Sequence, residues 1–382
     1  MKRILIMTLI LSLAATSTTF ASSARVNGVG GEHRFLIDTQ NYNVYPGRAL
    51  RFGDAAYLVI PRAGANAIGG VLVKFGAAKD KVLGVHINFP MPNVSALNNI
   101  LDTAPTGKAA VDGRLAALDV QPWFDVFYAM ELKGMKAGIH ATYASDKVTD
   151  DVQDIETSAT AMNLFAGITT EVGGSILDLG AGISTQAFSD DDKGVKTESQ
   201  DGLGLWAQAR CLHRKGESLT LIPMASVALN TRSLGVKGTV TRSSMDVELG
   251  LGMEKMIGKS RLILGAIAAR SSDSETRGGV ELTDTELVLP RLIAGFETPI
   301  KKKLTARGGI SRSFVFATDE QAAGKEVKTQ ETVDMYNLGF SVRVKSILID
   351  FLLKKDILQR GPYLITGSAD DWATNVCVTY LF

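Results

Sequence analysis

The chain has 382 residues, with 41 Lys and Arg against 40 Asp and Glu, 45% hydrophobic residues, 38 Gly and only 10 Pro. Charge that nearly cancels removes the electrostatic basis for nucleic-acid binding. Beyond residue 21 no run reaches the ~20 apolar residues of a membrane helix, and the longest, Ile347 to Leu353, carries Asp350 in its middle. An all-β soluble protein and a membrane barrel both fit these limits.

Met1-Lys2-Arg3, the apolar run Ile4 to Leu13 and the small-x-small site Thr19-Phe20-Ala21 have the layout of a cleaved secretory signal, expected over residues 1–21. No Cys lies near the cleavage point, so a lipid anchor is not expected. Residues 22–54 have two readings: a periplasmic lead-in, or an N-terminal plug that enters a barrel.

From residue 55 onward the pattern alternates with a period of two, the signature of strands with two unlike faces. Met135, Ala137, Ile139, Ala141 and Tyr143 oppose Lys136, Gly138, His140, Thr142 and Ala144. Val247, Leu249, Leu251 and Met253 oppose Asp246, Glu248, Gly250 and Gly252, and Tyr336 to Lys345 behaves likewise. Sixteen segments are read this way, near 55–61, 68–75, 82–89, 121–131, 135–145, 159–171, 174–188, 202–214, 217–230, 239–254, 260–271, 284–297, 304–317, 331–345, 346–355 and 372–382. Fourteen is the competing count. Many exceed the ~5–6 residues of soluble strands and match the ~9–11 tilted residues that cross a bilayer. The fold class expected over 55–382 is all-β: a closed antiparallel up-and-down transmembrane β-barrel of about sixteen strands.

Connections alternate in length. Tight turns are expected at Lys133-Gly134, Gly173-Gly174, Lys215-Gly216, Ile257-Gly258-Lys259 and Ile300 to Lys303, where Gly supplies positive φ. Between them lie polar segments read as long extracellular loops: 146–158, 189–201, 272–283, 318–330 and 356–371. Segment 90–120 is the longest, with helix-like pieces starting at Ser95 and Asp112. It either folds inward to narrow a channel or caps it outside. The two cysteines, Cys211 and Cys377, fall on strands far apart and are expected as free thiols filling apolar space.

On these registers Asp125, Glu131, Lys136, His140, Arg210, Arg242, Asp246, Glu248, Arg343, Lys345, Asp350 and Lys354 face inward and are the candidate pore-lining residues. Rings of charge set selectivity in a pore, but mixed signs favour cross-strand pairs filling a wet interior. No cofactor, metal or catalytic site is expected. The four histidines lack partners at metal-ligand spacing, and no Gly-x-Ser-x-Gly elbow or phosphate loop occurs. Asp190 to Asp192 reads as a solvated loop rather than a calcium site. Gly250 and Gly252 lie within a strand, where relief of inner-face crowding explains them.

At the C-terminus Phe382, Tyr380, Val378, Val376, Thr374 and Trp372 share one face, with aromatics at both ends as in the girdles of a lipid-facing strand. This strand resembles that of the Gram-negative outer-membrane porin superfamily. The resemblance implies that Phe382, Tyr380, Val378 and Val376 are read by the barrel-assembly machinery, and that the protein sits in outer-membrane lipid. The barrel architecture and its polar inner face, rather than this strand, lead to the first functional reading, a channel for passive or substrate-selective passage of small solutes, with an oligomer possible. A closed barrel serving secretion, attachment or display is the second reading, and an outer-membrane hydrolase, to be tested at His140, the third.

Overall fold

The structure is a computed structural model that describes residues 25–26, 29, 31–36, 41–61, 67–87, 121–150, 155–192, 195–198, 200–234, 240–277, 279–321, 325–353 and 373–382. The expected signal segment, the helix-like pieces of 90–120, Lys354 and Trp372 lie outside the described residues.

The strands are β1 (Ala55–Pro61), β2 (Ile68–Phe75), β3 (Lys81–Ile87), β4 (Gln121–Leu132), β5 (Met135–Asp150) and β6 (Ile155–Val172). They continue with β7 (Ser175–Asp192), β8 (Val195–Glu198), β9 (Gln200–Lys215), β10 (Leu219–Leu234), β11 (Val240–Ile257) and β12 (Ser260–Arg277). The last are β13 (Val280–Lys301), β14 (Leu304–Gln321), β15 (Lys325–Val344), β16 (Ile347–Leu353) and β17 (Ala373–Leu381). Each pairs antiparallel with its neighbours, and β1 closes on β17 from Ala55↔Leu381 to Pro61↔Asn375. The short β8 and the long β9 both pair with β7, at successive heights, so the closed wall has sixteen strands rather than fourteen.

Turn chemistry explains one end of the wall. Lys133 and Gly134 have φ of 50° and 82°, and Gly173 and Gly174 have 58° and 78°. Two successive positive φ values define the type I′ hairpin that matches strand twist. At the other end the expected long loops are mostly strand: β5 runs to Asp150, β6 begins at Ile155 and β7 runs through Asp190 to Asp192. The described polar residues of 146–158, 189–201, 272–283 and 318–330 largely extend the ladder. Asp190 to Asp192 is therefore strand, paired with Ile155 to Thr157 of β6, and not a loop.

The polarity is inside out. Large apolar side chains cover the exterior, among them Leu249 at 60% and Leu251 at 58% exposure. Buried positions include Asp125, Asp178, His140, Arg210 and Asp350. In water such an exterior would be a strong association hazard, whereas in hydrocarbon it is what a closed, fully paired wall presents. The protein has the architecture and surface polarity of a transmembrane β-barrel.

The apolar core lies between the inner wall and the described residues of 25–52. Tyr42, Leu50 and Phe52 pack with Leu72, Val82 and Phe127. Val26, Phe35 and Leu36 pack with Ile222, Met224 and Ile263. Within this stretch a helical turn at Asn41–Val44 leads into a 3-10 turn at Pro46–Arg51.

Candidate functional site

The site is the inner wall where the described residues of 25–52 are held. Inward glycines make the seat. Gly138, Gly167 and Gly180 are register partners across β5, β6 and β7. A Cβ on Gly138 would overlap the Pro46 carbonyl, one on Gly167 the Pro46 ring, and one on Gly180 the Val44 carbonyl oxygen. Gly252 and Gly265, partners across β11 and β12, lie under the two edges of the Phe35 ring. Only glycine lets another backbone or ring approach a strand this closely.

Charge fixes what the glycines admit, at three places. Arg48 donates to both Asp178 oxygens, Nε to Oδ1 at 2.8 Å and Nη2 to Oδ2 at 2.7 Å. Arg210 reaches the same carboxylate through Nε at 2.8 Å. Its Nη1 donates to the carbonyls of Arg34 and Leu36 at 2.7 and 2.8 Å, and its Nη2 to Asn41 Oδ1 at 2.7 Å. The Tyr45 ring lies 4.7 Å from its guanidinium carbon, so one wall arginine is saturated almost entirely by the N-terminal stretch.

The second anchor is Arg34, bound to Glu32 and Glu248, with Arg291 3.6 Å from both carboxylates. At the third, Arg25 Nε is 2.6 Å from Glu297, which also accepts from Arg307 Nε at 2.8 Å. Arg307 Nη1 then reaches Asp350 at 2.9 Å. Buried charges are tolerated only when paired and hydrogen-bonded, and these are.

The candidate lining residues therefore separate. Asp125, His140, Arg210 and Asp350 are buried in such contacts. Glu248 is 26% exposed beneath Arg34, and Arg242 pairs with Glu275. Asp246 accepts from Ser271 at 2.6 Å. Lys136 and Arg343 are half-buried, and Glu131 is exposed near the β4 turn. Lys345 is corrected: it is in the tight turn between β15 and β16 with φ 53°, not on the lumen wall, because Lys345-Ser346 joins the two strands. Arg25, Arg34, Arg48, Asp178, Glu297 and Arg307 were absent from the expected set. Strand parity alone places Asp178, Glu297 and Arg307 inward, but nothing local marks their partners.

His140 touches Asp125 and Thr142, a combination that resembles a general-base array. Its ring is stacked on Phe127 at 3.8 Å between centroids and near Phe165 at 5.2 Å, with no exposed surface. A substrate bond cannot reach it. Ser175 Oγ and His213 Nδ1 lie 2.8 Å apart, and among the described residues no carboxylate is bound to that histidine. Both pairs read as cross-strand hydrogen bonds. Among the described residues no group of His, Cys, Asp or Glu could hold a metal ion. Cys211 and Cys377 are free, the latter buried.

On the exterior of β17, Tyr380 and Phe382 are exposed and their rings stack at 6.0 Å, while Val376 and Val378 are half-buried on the same face. The Phe382 amide donates to the Asp54 carbonyl at 3.1 Å, so the last residue completes the β1–β17 seam.

No family model and no curated protein matches the chain. Solved structures similar to it include the ferric preacinetobactin receptor BauA of Acinetobacter baumannii, at 11% identity and a TM-score of 0.47, over 78% of this chain and 53% of that one. The alcaligin outer-membrane receptor FauA of Bordetella pertussis is 8% identical with a TM-score of 0.46, over 78% and 60%. CdiB of Escherichia coli is 8% identical with a TM-score of 0.42, over 86% and 62%. The chain thus spans between half and two thirds of these proteins.

Proposed function

We propose that the protein is an outer-membrane channel for small solutes whose lumen is narrowed by an N-terminal plug, residues 25–54, held against the inner wall. The observation that supports this reading is the buried Arg48–Asp178–Arg210 cluster, which ties that stretch to inward side chains of β7 and β9. Sixteen strands enclose more space than side chains fill. Exposed inward carboxylates, Asp284, Asp319 and Glu331, line a wet mouth above the plug. Solutes then pass beside a fixed constriction, and selection comes from its charge and width.

The three separate anchors favour one other reading, a permanently sealed barrel that serves secretion, attachment or display. Planar-bilayer recording decides between them. Small, stable conductance steps in the natural protein, enlarged by Asp178→Ala, are expected of the channel. Silence in both proteins would leave the sealed barrel. Bound lipid and solutes of the periplasm are the partners this reading needs, and a hydrolase is disfavoured by the burial of His140.

A further inference from the structure

The exterior of β11–β14 carries a groove of about 740 Å³ in the lipid-facing surface. Its floor is formed by the small residues Ala266 and Ala294, its walls by Leu251, Leu264, Leu292 and Ile310. Register explains the shape. Ala266 pairs with both Leu251 and Leu292, and Ala294 with both Leu264 and Ile310, so each low point sits between two bulky neighbours along its row.

The groove ends at Arg312, which is 50% exposed on this apolar face. Arg312 pairs in register with Leu292 on one side and Asp334 on the other. Its Nε and Nη2 donate to the two Asp334 oxygens, each at 2.7 Å, and Tyr336 OH donates to the same carboxylate at 3.3 Å. The fork uses one edge of the guanidinium. The Nη1 edge has no hydrogen-bond partner among the described residues. Arg270, exposed on the same outer face of β12, adds a second cation above the groove.

Height decides what meets these groups. Arg312 is eight residues (312 minus 304) beyond the start of β14 at Leu304. That is ~26 Å along the strand, or ~20 Å once tilted, near the top of a ~25 Å apolar band. The cationic end therefore lies at the headgroups of the outer leaflet, with the apolar trough beside it in hydrocarbon. An exposed arginine there is inexpensive, and one aimed at a phosphate is favourable.

We propose that this groove is a binding site for lipid A, the phosphorylated multi-acyl glycolipid of the outer leaflet. One acyl chain lies over Ala266 and Ala294, and a phosphate oxygen accepts from Arg312 Nη1. The proposal is independent of whether the lumen conducts.

The test uses the full barrel in mild detergent, incubated with lipid A or with phosphatidylglycerol, with retained lipid counted by native mass spectrometry. Wild-type protein should keep one lipid A, and Arg312→Gln should weaken retention about tenfold, the loss of one charge-assisted hydrogen bond. Ala266→Leu, which fills the floor and leaves the ion pair intact, should do the same. Both variants should still show heat-modifiable migration, which separates lost binding from lost folding. Equal retention by all three proteins would overturn the site, as would phosphatidylglycerol held as well as lipid A. A detergent-stable dimer abolished by Ala266→Leu would overturn it too, making a second copy of the chain the occupant.

Discussion

Arg48 and Asp178 are 130 residues apart in sequence, yet they form a two-point buried ion pair at 2.8 and 2.7 Å. Arg48 belongs to the N-terminal stretch and Asp178 to β7, so this pair joins the lumen contents to the wall. Removing the anion leaves Arg48 and Arg210 both facing an uncompensated interior. Losing one partner of a buried pair costs about 3–5 kcal/mol. Asp178→Ala is expected to detach residues 41–52 while the barrel persists. Limited trypsin digestion would then cut at Arg48 or Arg51, and the SDS-resistant band would survive. Protection equal to wild type would contradict the anchoring role.

Steric contact tests the same docking without charge. A side chain at Gly180 would meet the Val44 carbonyl, whereas one at Gly69 meets nothing nearer than 3.6 Å. Gly180→Val should expose the N-terminal stretch to protease and increase conductance, and Gly69→Ala should change neither. The cost at Gly180 is that of overpacking, about 1–3 kcal/mol. Identical digestion patterns for the two variants would show that the glycine row is not the seat.

How much of the fold is legible in the sequence depends on range. Strand parity needs only near neighbours, so Leu249 and Leu251 against Glu248 and Gly250 define the faces of β11 directly. The Lys133-Gly134 and Gly173-Gly174 turns are equally local. Polar segments such as 146–158 mislead because polar composition alone does not break a strand. That stretch has no Gly or Pro, and β5 and β6 continue into it. Elsewhere Gly279, with φ 84°, marks the turn between β12 and β13, not the whole polar run. Contacts of the N-terminal stretch such as Phe35 on Gly252 and Gly265 are beyond reach, since no periodicity links residues more than 200 positions apart.

The mouth of the barrel carries a pH response. Asp284 faces Asp273 on β12 and Asp319 on β14. It is seventeen residues (301 minus 284) from the Lys301 end of β13, which is ~56 Å of strand and beyond the ~25 Å apolar band. Partial burial, then the neighbouring Asp319, raise its carboxyl above the ordinary carboxylate range. The folded state therefore holds this proton more tightly than the unfolded chain. Its stabilisation is present at pH below the ordinary carboxylate value and is lost as pH rises through the raised one. Amides of 281–287 should exchange faster at neutral pH than at pH 4 after correction for intrinsic rates. Asp284→Asn should flatten that dependence, by the ~0.2–1 kcal/mol of a like-charge cross-strand pair. An unchanged profile in the variant would sink the assignment.

Closure of the wall depends on β1 and β17 finding each other from opposite ends of the sequence. Leu58 faces Val378 and Ala56 faces Tyr380 across that seam, while the Phe382 amide reaches Asp54. The stacked Tyr380 and Phe382 rings point outward, so they contribute little to the folded interior. An aromatic pair kept on the lipid face is suited to recognition before insertion and to anchoring at the headgroups afterwards. Phe382→Ser should thus reduce assembly far more than it reduces the stability of barrels that do assemble. The check is two measurements on one variant: the fraction of heat-modifiable protein in outer-membrane preparations, and the temperature at which the purified barrel unfolds in SDS. A large fall in the first with little change in the second is expected, because the side chain acts on the path to closure. Equal falls in both would make Phe382 an ordinary stabilising contact of the seam.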